Sequence, residues 1–302
     1  MTLIAAAITR RTVWMMADRR LSALQHGTWV PNSEDAVKFI LLQTADSNGF
    51  VGYSGLGRTA LGCELSEWLS RTIRNYDGPL WQFLELIRQA ANNRIPKHIA
   101  SHDYDHTFLV PAMVNSLPRV FGIFVARNAA GQYTTELREV LVEENKDGYA
   151  VPMVVFAGSG IRAISKDEKQ RVKDHLIAYD DGKLTERQIA HVLNSVNFKV
   201  HKKLGSTGTV GNRTITSWSM ADKTGNTLFF RDLAIDSDPT PAFVPAIMGG
   251  FDATAIAAVA TQFMPTLEEI VTGKADEILA KNAAAHEAAV RKIPSDPDDS
   301  LP

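Results

Sequence analysis

Residue 2 is a threonine directly behind the initiator methionine, in the run Met1-Thr2-Leu3-Ile4-Ala5-Ala6-Ala7-Ile8. Aminopeptidases remove a Met that precedes a small polar residue, and Thr2 would then hold a hydroxyl and a free α-amine together. That pairs nucleophile and base on one residue, the threonine version of covalent catalysis. An unperturbed α-amine has a pKa of about 7.7–8.0, so much of it accepts a proton near neutral pH. The surrounding stretch reads as two short apolar strands, residues 3–8 and 13–17, joined by a basic turn, and the second strand runs into Asp18.

Three other groupings compete for attention. His98, His102 and His106 recur at four-residue spacing beside Asp103 and Asp105, which are metal-ligand types. They connect a helical pattern to a strand, where polar residues face water, and no metal is expected. Gly158-Ser159-Gly160-Ile161-Arg162-Ala163 fits the G-x-G-x-x-A turn of dinucleotide sites and follows an apolar strand, with Asp180 and Asp181 further on. The second parallel strand that such a site needs is missing from the pattern, so no cofactor is expected and nucleotide binding is the lesser alternative. Cys63 lies on a helical pattern and reads as a core or semi-buried thiol.

The opening stretch is similar to the proteasome β-subunit family of N-terminal-nucleophile (Ntn) hydrolases, including bacterial proteasome-related ring peptidases. The matching features are Thr2, Asp18 followed by Arg20 at a sixteen-residue spacing, Lys38 within Ala36-Val37-Lys38-Phe39-Ile40-Leu41, and the turn Ser54-Gly55-Leu56-Gly57 before a helix. The resemblance implies a four-layer αββα sandwich over residues 1–235. It also implies a mechanism in which the Thr2 hydroxyl attacks a carbonyl and its α-amine takes the proton. Lys38 would lower both pKa values, Asp18 would hold Lys38, and the Gly55 N–H would stabilise the oxyanion. Ser159 would bond the terminal amine, with Ser206 as a second serine nearby. The implied substrate is a peptide or protein, and the implied assembly a homo-oligomeric ring, with or without an unfoldase. In one position the chain departs from the pattern: Lys203 stands three residues before Ser206, where the family commonly has Asp. A cation there opposes protonation of the amine, so a catalytically inactive ring subunit stays open as the alternative, since fold does not fix function.

Composition bounds the rest. The 302 residues are 45% hydrophobic, enough to bury a large core. A net charge of −2 gives no electrostatic footprint for nucleic acid. One cysteine excludes an intramolecular disulfide and fits a reducing compartment. The first apolar run is short and its arginines follow it, unlike a signal peptide, and no segment is long enough to span a bilayer. The expectation is a cytoplasmic protein without a membrane partner.

Periodicity then orders the elements. Strands are expected at 36–41 and 50–53, and helices at 61–73 and from 80 to a stop at Pro96. Further strands are expected at 107–114, 119–127, 132–142 and 151–157, then helices at 162–179 and 185–203, the latter capped by Thr185. A hairpin at 209–219 and 227–233 closes the α+β domain. Residues 236–302 read as a Pro- and Asp-rich linker, a helical extension at 267–292 and a disordered acidic tail.

Overall fold

The computed structural model describes residues 2–25, 28–58, 63–99, 105–140, 152–205, 209–237 and 244–253. β1 (Ile4–Ile8) and β2 (Thr12–Asp18) form the expected opening hairpin, in register from Ile4 opposite Ala17 to Ile8 opposite Val13. Both strands are buried along their whole length. Alternate side chains of a strand point to opposite faces, so Ile4, Ala6 and Ile8 join one core cluster while Leu3, Ala5 and Ala7 join another. Burial on both faces is why this hairpin reads as a continuous apolar run, without apolar–polar alternation.

The hairpin β3 (Leu21–Gln25) and β4 (Thr28–Ser33) follows as a separate two-stranded sheet. Next come β5 (Phe39–Gln43), β6 (Ser47–Ser54), α1 (Leu65–Ile73) and α2 (Leu80–Ile99). The meander β7 (His106–Val114), β8 (Leu117–Arg127) and β9 (Tyr133–Val140) is antiparallel throughout. β10 (Met153–Ala157) leads through a 3-10 turn at Ser159–Ala163 into α3 (Lys166–Asp180) and α4 (Glu186–Leu204). The described chain closes with β11 (Arg213–Met220), β12 (Gly225–Arg231), β13 (Ala234–Ile235), β14 (Ala246–Met248) and β15 (Phe251–Asp252).

The result is a mixed α+β structure with two large sheets and, among the described residues, four α-helices. One sheet has the order β10-β1-β2-β11-β12-β13, the other β15-β14-β5-β6-β7-β8-β9. Ile4, Ala6, Met15 and Ala17 of the first sheet cluster with Phe39, Phe50, Leu109 and Met113 of the second. The opposite face of the first sheet packs Trp14 and Met16 on Val172, Leu176, Leu193 and Val196 of α3 and α4. Ile40, Val51 and Tyr53 of the second sheet pack on Leu69, Phe83, Leu84 and Ile87 of α1 and α2. No described helix is long and apolar enough to cross a membrane.

Three expectations are corrected. Pro96 does not end α2 but lies inside it, because Ile95 and Ile99 are buried on the same face as Ile87 and Ala91 and packing extends the helix past the lost N–H. Residues 162–179 are not one helix: Ser165 accepts from Glu168 N–H in a capping box and starts α3 anew after the 3-10 turn. β3 and β4 occupy a stretch for which no element is expected. β14, past residue 235, pairs in parallel with β5, Ala246 opposite Leu41. Thr185 caps α4 as its position predicts, accepting from Gln188 N–H. The helix expected at 267–292 and the acidic tail lie outside the described residues.

Candidate active site

Thr2, Asp18 and Lys38 meet at one point because two sheets bring them there. Thr2 precedes β1, Asp18 ends the strand paired with it, and Lys38 immediately precedes β5 in the other sheet. The hairpin register sets Leu3 across from Asp18: Asp18 N–H donates to the Leu3 carbonyl (3.0 Å) and Leu3 N–H donates to Asp18 Oδ1 (2.8 Å). The Thr2 hydroxyl donates to the same Oδ1 and accepts from Lys38 Nζ. Lys38 Nζ also donates to Asp18 Oδ1 at 3.0 Å and to the Arg20 carbonyl. Asp18 Oδ2 takes the backbone N–H groups of Arg20 (3.1 Å) and Gly211 (3.2 Å).

All three side chains are buried: Asp18 is 0% exposed, Thr2 and Lys38 each 2%. A carboxylate and an ammonium survive out of water only when paired and fully hydrogen-bonded, and both oxygens of Asp18 have donors. Burial pulls the Lys38 amine below its ordinary value, opposed by the charge and hydrogen bond of Asp18.

Gly55 follows β6 with φ +110°, a conformation that glycine adopts without strain. It lines, together with Thr2, Lys38, Leu21, Tyr53 and Arg58, a cavity of about 170 Å³. Ser54, Gly55 and Ser159 also line a larger neighbouring hollow of about 590 Å³.

The Gly158-Ser159-Gly160 turn packs on the start of the chain. A Cβ at Gly158 would lie 2.1 Å from the Thr2 carbonyl oxygen, and Gly160 N–H donates to that oxygen at 3.3 Å. The G-x-G-x-x-A motif therefore cradles the Thr2 backbone, and it opens a 3-10 turn after a strand paired antiparallel to β1, unlike a parallel-sheet phosphate site. The Ser159 hydroxyl shares a hydrogen bond with the Thr209 hydroxyl at 3.0 Å. Ser206 lies outside the described residues. Lys203 donates to the Ala163 carbonyl (2.9 Å) and to Glu168 (3.0 Å), so its charge is committed to the start of α3.

The other groupings are described only in part. His98 ends α2 and His106 opens β7, and His102 and Asp103 lie outside the described residues. Among the described residues no group of three ligand side chains could hold a metal. The Cys63 thiol, half-buried beside Glu67, is pushed up to about 12, far from a thiolate nucleophile.

Sequence reasoning missed the Arg20 carbonyl, the Gly211 N–H and Thr209, and noticed His106 only as one of a histidine series. The first two act through the backbone and leave no residue-type signal; Gly211 alone hints at a close approach, since a Cβ there would meet Arg20 Cβ at 2.8 Å.

No family model matches the sequence, and no curated protein matches it significantly. Solved structures similar in shape include those of Anbu, described as an ancestral beta-subunit. The Anbu of Yersinia bercovieri has a TM-score of 0.44 at 10% identity, covering 74% of this chain and 86% of its own. A Gly-1 mutant of Anbu from Hyphomicrobium sp. strain MC1 has a TM-score of 0.38 at 9% identity, covering 79% of this chain and 87% of its own. Another Anbu structure from that strain scores 0.36 at 10% identity, covering 78% and 89%. These neighbours correct the resemblance to the proteasome β-subunit family: Anbu is proteasome-like but a distinct family, and a likeness this distant says nothing direct about Ntn chemistry.

Proposed function

We propose that this chain is a threonine-dependent hydrolase of peptide or other amide bonds, with the Thr2 hydroxyl as nucleophile. The observation that carries the reading is the position of Thr2 Oγ1, hydrogen-bonded to both Lys38 Nζ and Asp18 Oδ1 in a buried cluster that opens on a cavity. In the structure Lys38 donates to Thr2 Oγ1, Asp18 and the Arg20 carbonyl as an ammonium. Burial eases loss of the proton shared with Thr2, and the amine so formed takes the hydroxyl proton, with the α-amine, once Met1 is removed, as a second acceptor. Thr2 Oγ1 then bonds to the substrate carbonyl carbon, and the Gly55 N–H meets the oxyanion. The C–N bond breaks as the leaving amine collects the proton, and water cleaves the acyl ester. Asp18 holds Lys38, and Ser159 bonds the α-amine freed by removal of Met1.

This reading includes the architecture: a four-layer αββα sandwich formed by residues 1–235, with 236–302 as an appendage anchored by β14. It also includes a homo-oligomeric ring that shields the site, and a cytoplasmic setting. The inactive-subunit alternative draws on the same cluster, since Asp18 and Lys38 could serve only to tie β2 to β5. The engagement of Lys203 with Glu168 weighs against it, because that cation is occupied away from the Thr2 cluster.

Intact mass and N-terminal sequencing, combined with a peptide epoxyketone, test the reading. The expected result is loss of Met1, an adduct on Thr2, and no adduct in Thr2→Ala. An exposed Thr2 that never labels, on a folded chain, would leave the structural alternative standing.

A further inference from the structure

Behind Gly55 stands a histidine that no ion pair or metal explains. His106 is 0% exposed at the start of β7, with its ring against Tyr53 (6.4 Å, 18° between planes) and edge-on to Phe108 (4.5 Å, 66°). The Leu56 N–H donates to its Nδ1 at 3.0 Å. A ring nitrogen that accepts carries no proton, so the hydrogen sits on Nε2, and Nε2 is buried without a hydrogen-bond partner. A leucine or methionine would fill the same space without leaving that N–H unmet. The one thing the imidazole supplies is an acceptor for the loop after β6. That loop presses directly on it: a Cβ at Gly55 would lie 2.8 Å from His106 Nδ1 and 2.8 Å from the Asp105 carbonyl oxygen.

We propose that His106 is a positioning residue for the oxyanion-binding loop, its neutral Nδ1 holding Leu56 N–H so that Gly55 keeps its left-handed conformation at the rim of the Thr2 cavity. The inference rests on the threonine-hydrolase reading, since it assigns a second residue to that same site. Burial keeps the ring neutral, holding its pKa down at about 3, so Nδ1 remains an acceptor throughout the physiological range. His106 touches neither substrate nor nucleophile and acts through the peptide that it anchors.

The test measures epoxyketone labelling of Thr2 on the full chain, resolving the maximal inactivation rate from the half-saturating concentration. His106→Leu removes the acceptor and should lower the maximal rate about 10²-fold, the lower end for a lost oxyanion donor, with half-saturation unchanged. His106→Asn, whose side-chain oxygen can accept from Leu56, should recover the rate to within about tenfold of wild type, on the same order-of-magnitude scale. Should His106→Leu fail to fold, His106→Met, flexible enough to fill the space, takes its place under the same criteria. A folded apolar variant with the wild-type rate overturns the inference, and so does an equal loss in His106→Asn. Wild-type chain with exposed Thr2 and no adduct overturns the threonine reading instead, and this inference with it.

Discussion

Lys38 answers two opposed demands at the residue scale: burial strips its proton while Asp18 holds it on. The unfolded chain keeps that proton up to about pH 10.4, whereas the folded chain gives it up lower. Between the two values the unfolded state binds more protons, so stability rises with pH through that window. Labelling of Thr2 should rise with pH through the lowered value and then level off. Lys38→Met should cut labelling about 10²–10⁴-fold, the range for a lost general base, and Lys38→Arg should rescue poorly because its planar guanidinium is larger and stays charged. Near-normal labelling of Lys38→Met would remove Lys38 from the mechanism. His106 gives the same sign in a lower pH window. The unfolded ring takes up a proton below about pH 6.5, the folded ring only near 3. Stability is therefore lost as pH falls between those values, by a few kcal/mol at about 1.4 kcal/mol per unit. Urea melts at pH 7, 5 and 4 should show the loss in wild type and a flatter trend in His106→Asn. Thr2 and Asp18 were legible in the sequence by residue type and spacing, and Lys38 by residue type within an apolar strand through the family resemblance, since its spacing runs a few residues long. His106 drew notice only as one of a histidine series, and its acceptor role depends on a loop fifty residues away.

Elements carry the next level of precision, and the turn after β10 shows how. Its glycines let the chain approach Thr2 closely enough for Gly160 N–H to reach the Thr2 carbonyl. Gly158→Ala should displace Thr2 twice over, since φ is +102° and the new Cβ would meet the Thr2 carbonyl oxygen at 2.1 Å. Gly182, at the turn between α3 and α4, also has positive φ (+75°) but open space around it. Gly182→Ala should cost only the backbone strain, about 1–2 kcal/mol, and leave Thr2 labelling intact. Thermal melts alongside labelling separate the two; equal melting temperatures and equal labelling would contradict the close approach. The G-x-G-x-x-A spacing alone also fits a phosphate turn, because it records tight turns without recording what comes near; only the missing parallel strand argues against that reading in the sequence. Periodicity located α4 and the β7–β9 meander well, since their apolar residues recur on one face. It stopped α2 at Pro96 because a local rule was applied where the burial of Ile95 and Ile99 decides. It passed over β4, whose Pro31 sits beside the register shift at Leu21 and Ser22 and lowers any strand signal.

On the scale of the whole molecule, exposed apolar side chains bear on the proposed ring. Trp81 on α2 is 54% exposed and Leu117 at the start of β8 is 55% exposed. Phe121, buried on the same face of β8 as Leu117, meets the Trp81 ring edge-on at 6.3 Å. Exposed large apolar side chains that gather into a patch mark contact sites, and these two are the candidates on α2 and β8. A second exposed pair, Met248 and Phe251, lies at the sheet edge formed by β14 and β15. The segment beyond residue 235 must therefore be tested without removing those strands: a cut after residue 245 would strip β14 from β5, while a cut after residue 253 keeps both. Full-length protein at micromolar concentration should scatter light as a closed oligomer. Trp81→Glu with Leu117→Glu should shift it to smaller species with an unchanged melting temperature, because neither side chain belongs to the buried core clusters. The chain ending at residue 253 separates the two sources of assembly. If it still forms the oligomer, the α2–β8 patch carries the contact; if it falls apart, residues 254–302 do. A monodisperse full-length monomer would end the ring proposal and leave the Thr2 cluster to be judged on its chemistry alone.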